Sequence, residues 1–142
     1  MTCQQYASNP AANWKYKDTA IYLLTSIASR GATMQHGVTS TNVLVDVVDF
    51  FSQNVFADLQ GAEGSVNPFL LVDAIKFLHT FRNQLTKEQL LSVLPLLIQH
   101  LSSSNYVVYS YAATTIERIL FIKVNGQAQS VPTLPIGIFL AL

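Results

Sequence analysis

Apolar residues recur every three or four positions through most of this chain, and short polar stretches separate the resulting segments. The clearest example is 94–116, where an apolar helix, a polar turn and a second apolar helix follow one another. Asn105 is well placed as the N-cap of the second helix, because its side-chain oxygen can accept a hydrogen bond from an unpaired amide. After it, Val108, Ala112 and Ile116 recur every four residues and therefore share one helical face. The pattern predicts a helical hairpin.

The same arrangement is found at two earlier positions in the chain. Asn67 follows Asn13 by 54 residues, and Asn105 follows Asn67 by 38 residues. These two intervals bracket the roughly 40–47-residue period of HEAT-type repeats. The positions 3, 7 and 11 residues after these two asparagines are Tyr16, Ala20 and Leu24, then Leu70, Ala74 and Leu78. The repetition predicts an all-α fold, a fragment of a right-handed, armadillo-like HEAT-repeat solenoid built from helical hairpins.

Local signals predict the element boundaries. Pro10 is expected to end a preceding helix within 1–9, because proline disfavours helix in the residue before it. The first predicted helix, 14–30, is capped by Asn13, ends at Gly31 and buries Ala20, Leu24, Ile27 and Ala28. The second, 42–56, places Leu44, Val47, Val48, Phe51 and Val55 on one side. The others are 67–82 with Pro68 in its first turn, 86–101 with a Thr86–Gln89 capping box at its start, and 105–123. Residues 32–41 and 61–64 are predicted loops.

The amino-acid composition is typical of a fragment of a longer solenoid. Half of the residues are apolar and only 11% are charged, whereas about a quarter are charged in ordinary soluble domains. Eight basic and eight acidic residues cancel, which argues against nucleic acid as the main partner. The single cysteine, Cys3, favours a reduced compartment. We expect no secretory signal and no membrane partner, because 131–142 is too short and too rich in proline to span a bilayer.

Motifs for catalysis are not evident in the sequence. His36, His79 and His100 are widely spaced, without a second ligand three or four residues away, so a satisfied surface or groove histidine is the better interpretation of each. Nucleophile-elbow and phosphate-binding glycine motifs are also lacking. We therefore expect neither an enzyme nor a bound cofactor or metal. Trp14 is expected to fill a contact between repeats rather than to stack on a ligand.

Several motifs resemble those of a known family. They run through loops as well as helices and read WKYKDTAIYL (14–23), HGVT (36–39), FRNQ (81–84), LPLLI (94–98), YAA (111–113) and IER (116–118). Together they resemble the middle of the exportin-2 family of importin-α re-exporters, within the importin-β superfamily. The resemblance covers roughly residues 1–123 and departs from the family in 124–142, an irregular apolar tail that we expect to lie outside the solenoid.

The resemblance implies a shuttling nuclear export receptor that binds Ran-GTP and importin-α in the nucleus and releases them in the cytoplasm. Family members are several times longer, so the chain corresponds to a few central repeats. Two other interpretations stay open: a stand-alone helical-repeat adaptor for an unrelated peptide, and a truncated product without autonomous transport activity.

In solenoids of this superfamily the second helix of each pair lines the concave side, and here those are the helices assigned to Asn13, Asn67 and Asn105. Positions 9 and 13 residues after each asparagine lie away from the buried stripe. With flanking residues, the candidate partner-facing surface comprises Asp18, Tyr22, Ser26, Arg30, Asp73, Lys76, Thr80, Thr114 and Arg118. The competing interpretation is a solvated wall without a partner.

Overall fold

Three helical pairs follow one another along the part of the chain that the computed structural model describes, residues 2–33, 37–62 and 64–122. The elements are α1 (Thr2–Ser8), α2 (Pro10–Ala28), β1 (Ser29–Thr33), β2 (Gly37–Thr41), α3 (Val47–Phe50), a π-helical segment (Phe51–Val55), α4 (Phe56–Leu59), α5 (Pro68–Phe81), α6 (Lys87–His100) and α7 (Tyr106–Leu120). Helices α2, α5 and α7 contact one another in succession, while α1, α4 and α6 each pack beside one of them. The predicted tail 124–142 lies outside the described residues.

Side-chain caps fix the starts of α5, α6 and α7, as predicted. Asn67 accepts a backbone hydrogen bond at 3.0 Å, and Pro68 occupies the first turn of α5, where no backbone donor is needed. Thr86 and Gln89 form the reciprocal capping box of α6. Asn105 caps α7 with a bond of 3.0 Å. These local signals place the starts of all three helices correctly.

The positions predicted from the caps of α5 and α7 are buried. Ala74 and Ala112 are completely buried, so any larger side chain would have to displace its neighbours there. Around α5, the Phe77 ring lies 4.7 Å from the Phe81 ring and 6.4 Å from the Phe51 ring. The full buried set predicted from the two caps is Leu70, Ala74, Leu78, Val108, Ala112 and Ile116.

The first pair departs from the predicted register. Asn9 caps α2, not Asn13, because Pro10 starts the helix instead of merely ending the one before it. Asn13 lies inside α2, and its side-chain amide donates to the Gln5 carbonyl at 2.8 Å. Tyr16, at the first aligned position, is 44% exposed. The repeated asparagine is therefore a real cap in two of the three pairs.

The buried face of α2 also differs from the predicted stripe. Ile27 is 58% exposed although the pattern placed it in the core. Ala20 and Ala28 are buried as predicted, Leu24 is partly buried, and Lys17 and Ile21 complete the buried face. A lysine on the packed face is what the hydrophobic pattern could not anticipate.

A β-hairpin replaces the predicted loop at 32–41. Strands β1 and β2 pair antiparallel, with Gly31 opposite Ser40. Helix α2 ends at Ala28, so Arg30 belongs to β1 and does not continue the helix, and Gly31 does not cap it. The strands are short and polar and so lack the apolar alternation that would have identified them.

The second predicted helix begins later than expected. The side chain of Asn42 closes a local turn, while Asp46 caps α3 by accepting from the Asp49 amide at 2.8 Å. Leu44 therefore lies before the helix and is 88% exposed, contrary to the prediction. The helical segment passes through the π-helical turn and ends at Leu59, three residues beyond the predicted boundary.

Candidate functional site

Helices α2, α5 and α7, which the sequence predicts to face a partner, enclose a groove of about 350 Å³. Five of the nine candidate residues line it: Asp18, Tyr22, Asp73, Lys76 and Thr80. The other lining residues are Ile21, Thr25, Phe77, His79 and Tyr111. We call this feature the α2–α5–α7 groove. It combines acidic, basic and aromatic side chains on one side of the helix row.

The remaining four candidates lie outside the lining of this groove. Ser26 and Thr114 are exposed, and each hydroxyl donates to a carbonyl of its own helix, at 2.9 and 3.0 Å. Arg30 is exposed on β1, so its assignment to the helical stripe is wrong. The Arg118 Nε lies 3.2 Å from a carboxylate oxygen of Glu117, its neighbour on α7.

The acidic side of the groove joins α2 to α5. The carboxyl groups of Asp18 and Asp73 lie close enough to interact. Burial, followed by this contact with Asp18, raises the pKa of Asp73 to about 7. Opposite them, the Lys76 ammonium lies 5.2 Å from the centre of the Tyr111 ring, in cation–π contact with α7.

The other end of the groove is basic. His79 is half-buried, and burial, followed by the charges of Arg82 and Arg118, lowers its pKa. Its ring is therefore neutral near pH 7. Nδ1 of that ring is buried and makes no hydrogen bond with the described residues. The two arginines thus supply the fixed positive charge at this end.

Trp14 lies at the contact between the first and second pairs, as predicted. Its ring stacks on Phe69 of α5 with centroids 5.1 Å apart and planes 9° from parallel. The Lys15 ammonium lies 5.8 Å from the same indole ring. Phe69 remains 63% exposed, so this stack is at the edge of the interface and not in the core.

A buried ion pair, which the sequence patterns missed, crosses between the same two pairs. The Lys17 ammonium lies 2.7 Å from Oδ2 of Asp58 on α4, and both side chains are about 5% exposed. The Lys17 ammonium also lies 4.7 Å from the centre of the Tyr6 ring of α1. Three helices therefore meet at one lysine. Burial raises the pKa of Asp58, and Lys17 opposes that shift.

The β-hairpin is held against the carboxyl end of α5. Gly37 has a φ of +71°, and its Cα approaches the Arg82 guanidinium and the Thr80 carbonyl so closely that a Cβ would lie within 2.7 Å of both. The Gln84 amide donates to the Val38 carbonyl at 3.0 Å. The HGVT and FRNQ motifs, 40 or more positions apart, therefore touch one another.

The two described histidines match the expectation of a satisfied surface or groove histidine only in part, since His79 lines the groove with its Nδ1 unpaired among the described residues and His100 is hydrogen-bonded but lies in the interior. His100 is buried, and its Nε2 lies 2.8 Å from the Leu59 carbonyl oxygen, which ties α6 to α4. His36 lies outside the described residues. Among residues 2–33, 37–62 and 64–122, no three His, Cys, Asp or Glu side chains are grouped as metal ligands. In the same ranges, no helix has the length and apolar character needed to cross a membrane.

Comparison with known proteins places these features in a family. The Cse1 family model matches residues 1–116. The chain belongs to the Cse1 family. Among its relatives, human exportin-2 is 47% identical over 120 residues, and the importin alpha re-exporter of Saccharomyces cerevisiae is 50% identical over 119 residues. Both matches cover 84% of this chain and 12% of the relative.

A solved Cse1-family structure supports the fold. The exportin Cse1 in its cargo-free, cytoplasmic state superposes with a TM-score of 0.79 at 49% identity, over 84% of this chain and 13% of that one. This confirms the HEAT-like helical fold and the resemblance based on the sequence motifs. The named relatives are transport receptors and not enzymes. The chain spans about an eighth of their length.

Proposed function

We propose that this chain forms part of a nuclear export receptor that returns importin-α from the nucleus to the cytoplasm with Ran-GTP. The observation that carries the proposal is the 50% identity to an importin alpha re-exporter over 119 residues, together with the Cse1 family match at residues 1–116, the range that contains the α2–α5–α7 groove. The protein would shuttle between nucleus and cytoplasm. Its contribution would be a binding surface, with GTP hydrolysis supplied by Ran.

The groove has the mixed charge expected of a protein-binding surface. Lys76 lies in the groove and Arg118 near its basic end, where they can pair with acidic groups of the partner. Asp18 and Asp73 on the other side disfavour a uniformly acidic partner. Charges arranged in this way contribute mainly to partner choice and association rate. The proposed contact surface combines these four side chains with Tyr22 and Thr80.

The experiment is charge reversal in a full-length receptor of this family carrying these residues. Lys76→Glu with Arg118→Glu should weaken assembly with importin-α and Ran-GTP about tenfold or more at low salt, where charge pairing is least screened. Lys87→Glu, on the exposed start of α6, is the matched control. Helix content by circular dichroism should be the same in all variants. Unchanged affinity at low salt would remove both residues from the interface.

A second experiment tests the isolated chain. Immobilised 142-residue protein is mixed with importin-α, with and without Ran-GTP, and retention is measured. Retention that needs Ran-GTP would mean that these repeats carry part of the export contact. Equal retention of importin-α with and without Ran-GTP, or of an unrelated peptide instead, would favour the stand-alone adaptor over an export receptor fragment.

A further inference from the structure

The junction between the first and second helical pairs contains more acidic than basic groups. Asp18 of α2 and Asp73 of α5 line the same α2–α5–α7 groove, and their carboxyl groups are close enough to interact. Oδ2 of Asp73 is buried and has no hydrogen-bond partner among the described residues. An ionised carboxylate can only accept hydrogen bonds, so a bond between these two requires a proton on one of them.

The charges around this pair do not cancel without that proton. Asp58 of α4 adds a third carboxylate whose negative charge acts on Asp73. The two nearby lysines are already engaged, because Lys17 pairs with Asp58 at 2.7 Å and Lys76 lies on the Tyr111 ring. Three carboxylates against two ammonium groups leave one negative charge. A single proton neutralises the junction.

Other titratable groups close to the junction do not provide a further positive charge. The phenols of Tyr22 and Tyr111 line the same groove, and Tyr6 of α1 faces Asp58. The His79 ring is kept neutral by burial and by the arginines behind it. Glu117 and Arg118 of α7 act on His79 and carry opposite charges.

We propose that Asp18 and Asp73 share one proton and so form a proton-linked joint between the first and second helical pairs. With the proton present, the shared hydrogen bond holds α2 against α5. When it leaves, two neighbouring carboxylates are both ionised in a half-buried groove, and their repulsion opposes the packing of α2 on α5. The joint is therefore closed below neutral pH and loosened above it.

The direction of the pH effect follows from the raised pKa of Asp73. A carboxyl whose pKa is higher in the folded than in the unfolded chain stabilises the fold fully below its ordinary pKa. That stabilisation is lost progressively between the ordinary aspartate pKa near 4 and about 7, the value that burial and Asp18 give Asp73. Stability should therefore fall as the pH rises from 5.5 to about 7 and level off above that, unlike the stability of a protein whose carboxylates are held ionised by salt bridges.

The test is thermal unfolding of the full 142-residue chain from pH 5.5 to 8.5. The wild-type midpoint should fall by about 5 °C over this range. Asp73→Asn supplies a permanent amide donor to Asp18, so the unfolding midpoint of this variant should be nearly independent of pH. If Asp73→Asn folds poorly, Asp18→Asn takes its place and should show the same nearly constant midpoint. Asp49→Asn, at an exposed position of α3, is the matched control and should keep the wild-type profile.

A direct titration makes the outcome decisive. In ¹³C NMR of protein labelled at the aspartate carboxyl carbons, one resonance should titrate near pH 7 and should be missing from Asp73→Asn. If all five aspartates titrate below pH 5, or if the wild type and Asp73→Asn share the same pH profile of stability, the proton-linked joint is refuted.

Discussion

The close contact at Gly37 allows a sharp test of how the β-hairpin is attached. Replacing Gly37 with alanine has two costs. A φ of +71° places the backbone in the left-handed region, where a Cβ costs roughly 1–2 kcal/mol. In addition, the new methyl group would lie 2.6 Å from Nη1 of Arg82 and 2.7 Å from the Thr80 carbonyl oxygen. Relieving such overlap in a packed site typically costs about 1–3 kcal/mol.

Gly64 provides a matched control on the same chain. Its φ of +83° imposes a similar backbone cost, but a Cβ there would meet no atom within 4 Å. Alanine also restricts the unfolded chain and so returns about 0.4–1 kcal/mol, equally at both positions. The difference between Gly37→Ala and Gly64→Ala therefore isolates the contact with α5. We expect Gly37→Ala to be more destabilising by about 1–3 kcal/mol.

The assay is urea unfolding at a protein concentration low enough for the midpoint to be independent of concentration, followed by circular dichroism and by Trp14 fluorescence. A third variant, Gly37→Ala with Arg82→Ala, removes one of the two clashing groups. Because the guanidinium contributes to the overlap, Arg82→Ala should destabilise the Gly37→Ala protein less than it destabilises the wild type. A double-mutant cycle measures this difference as the coupling energy between the two positions. Equal destabilisation by Gly37→Ala and Gly64→Ala would refute the close packing of the hairpin on α5.

Three further predictions concern the core and the open faces. Ala112→Leu should destabilise by about 1–3 kcal/mol because Ala112 is fully buried, whereas the exposed Thr114→Leu should be nearly neutral; equal shifts in urea midpoint would contradict the register of α7. Lys17→Met should cost roughly 3–5 kcal/mol by leaving Asp58 buried without its counter-charge, and Lys17→Met with Asp58→Leu should recover much of it in the same assay. The isolated chain should self-associate in light scattering, because α7 exposes Tyr106 and its tyrosine neighbours; a monodisperse monomer with a cooperative melt would contradict this.

Signals that act within one turn of helix were predictable from the sequence. The caps of α5, α6 and α7 depend on side chains one to three residues from the amide they bind, so the residue types themselves reveal them. The burial of the aligned positions then follows from helical geometry. Lys76 and Thr80 could be named for the same reason, since their offsets from the correct cap at Asn67 place both on the groove face of α5.

Competition between two adequate caps explains the error in the first pair. Asn9 and Asn13 are one helical turn apart, and either could cap a helix. Pro10 decides between them, because it fits the first turn after Asn9. The shift by one turn preserves the face of the helix, which is why Asp18 and Tyr22 line the groove although their assigned cap is wrong.

The β-hairpin and the buried ion pair could not be predicted because their partners are distant in sequence. The Gln84 side chain reaches the Val38 carbonyl across 46 positions, and Lys17 finds Asp58 across the interface of two pairs. A polar strand shows no hydrophobic alternation, and the side chain that completes its hydrogen bonds belongs to another element. A lysine on the packed face of a helix likewise contradicts the hydrophobic pattern unless its carboxylate partner is known.

These distant contacts bear on the groove as well as on the fold. The Thr80 side chain lines the α2–α5–α7 groove, while its backbone carbonyl is one of the two groups against which Gly37 packs. The hairpin therefore braces the end of α5 from behind the groove. Substitutions in the hairpin should alter partner binding without touching the partner, by moving α5. A binding residue in the groove is accordingly identified by a substitution that weakens partner binding but leaves the unfolding midpoint unchanged. The charge reversal at Lys76 and Arg118 should meet both conditions.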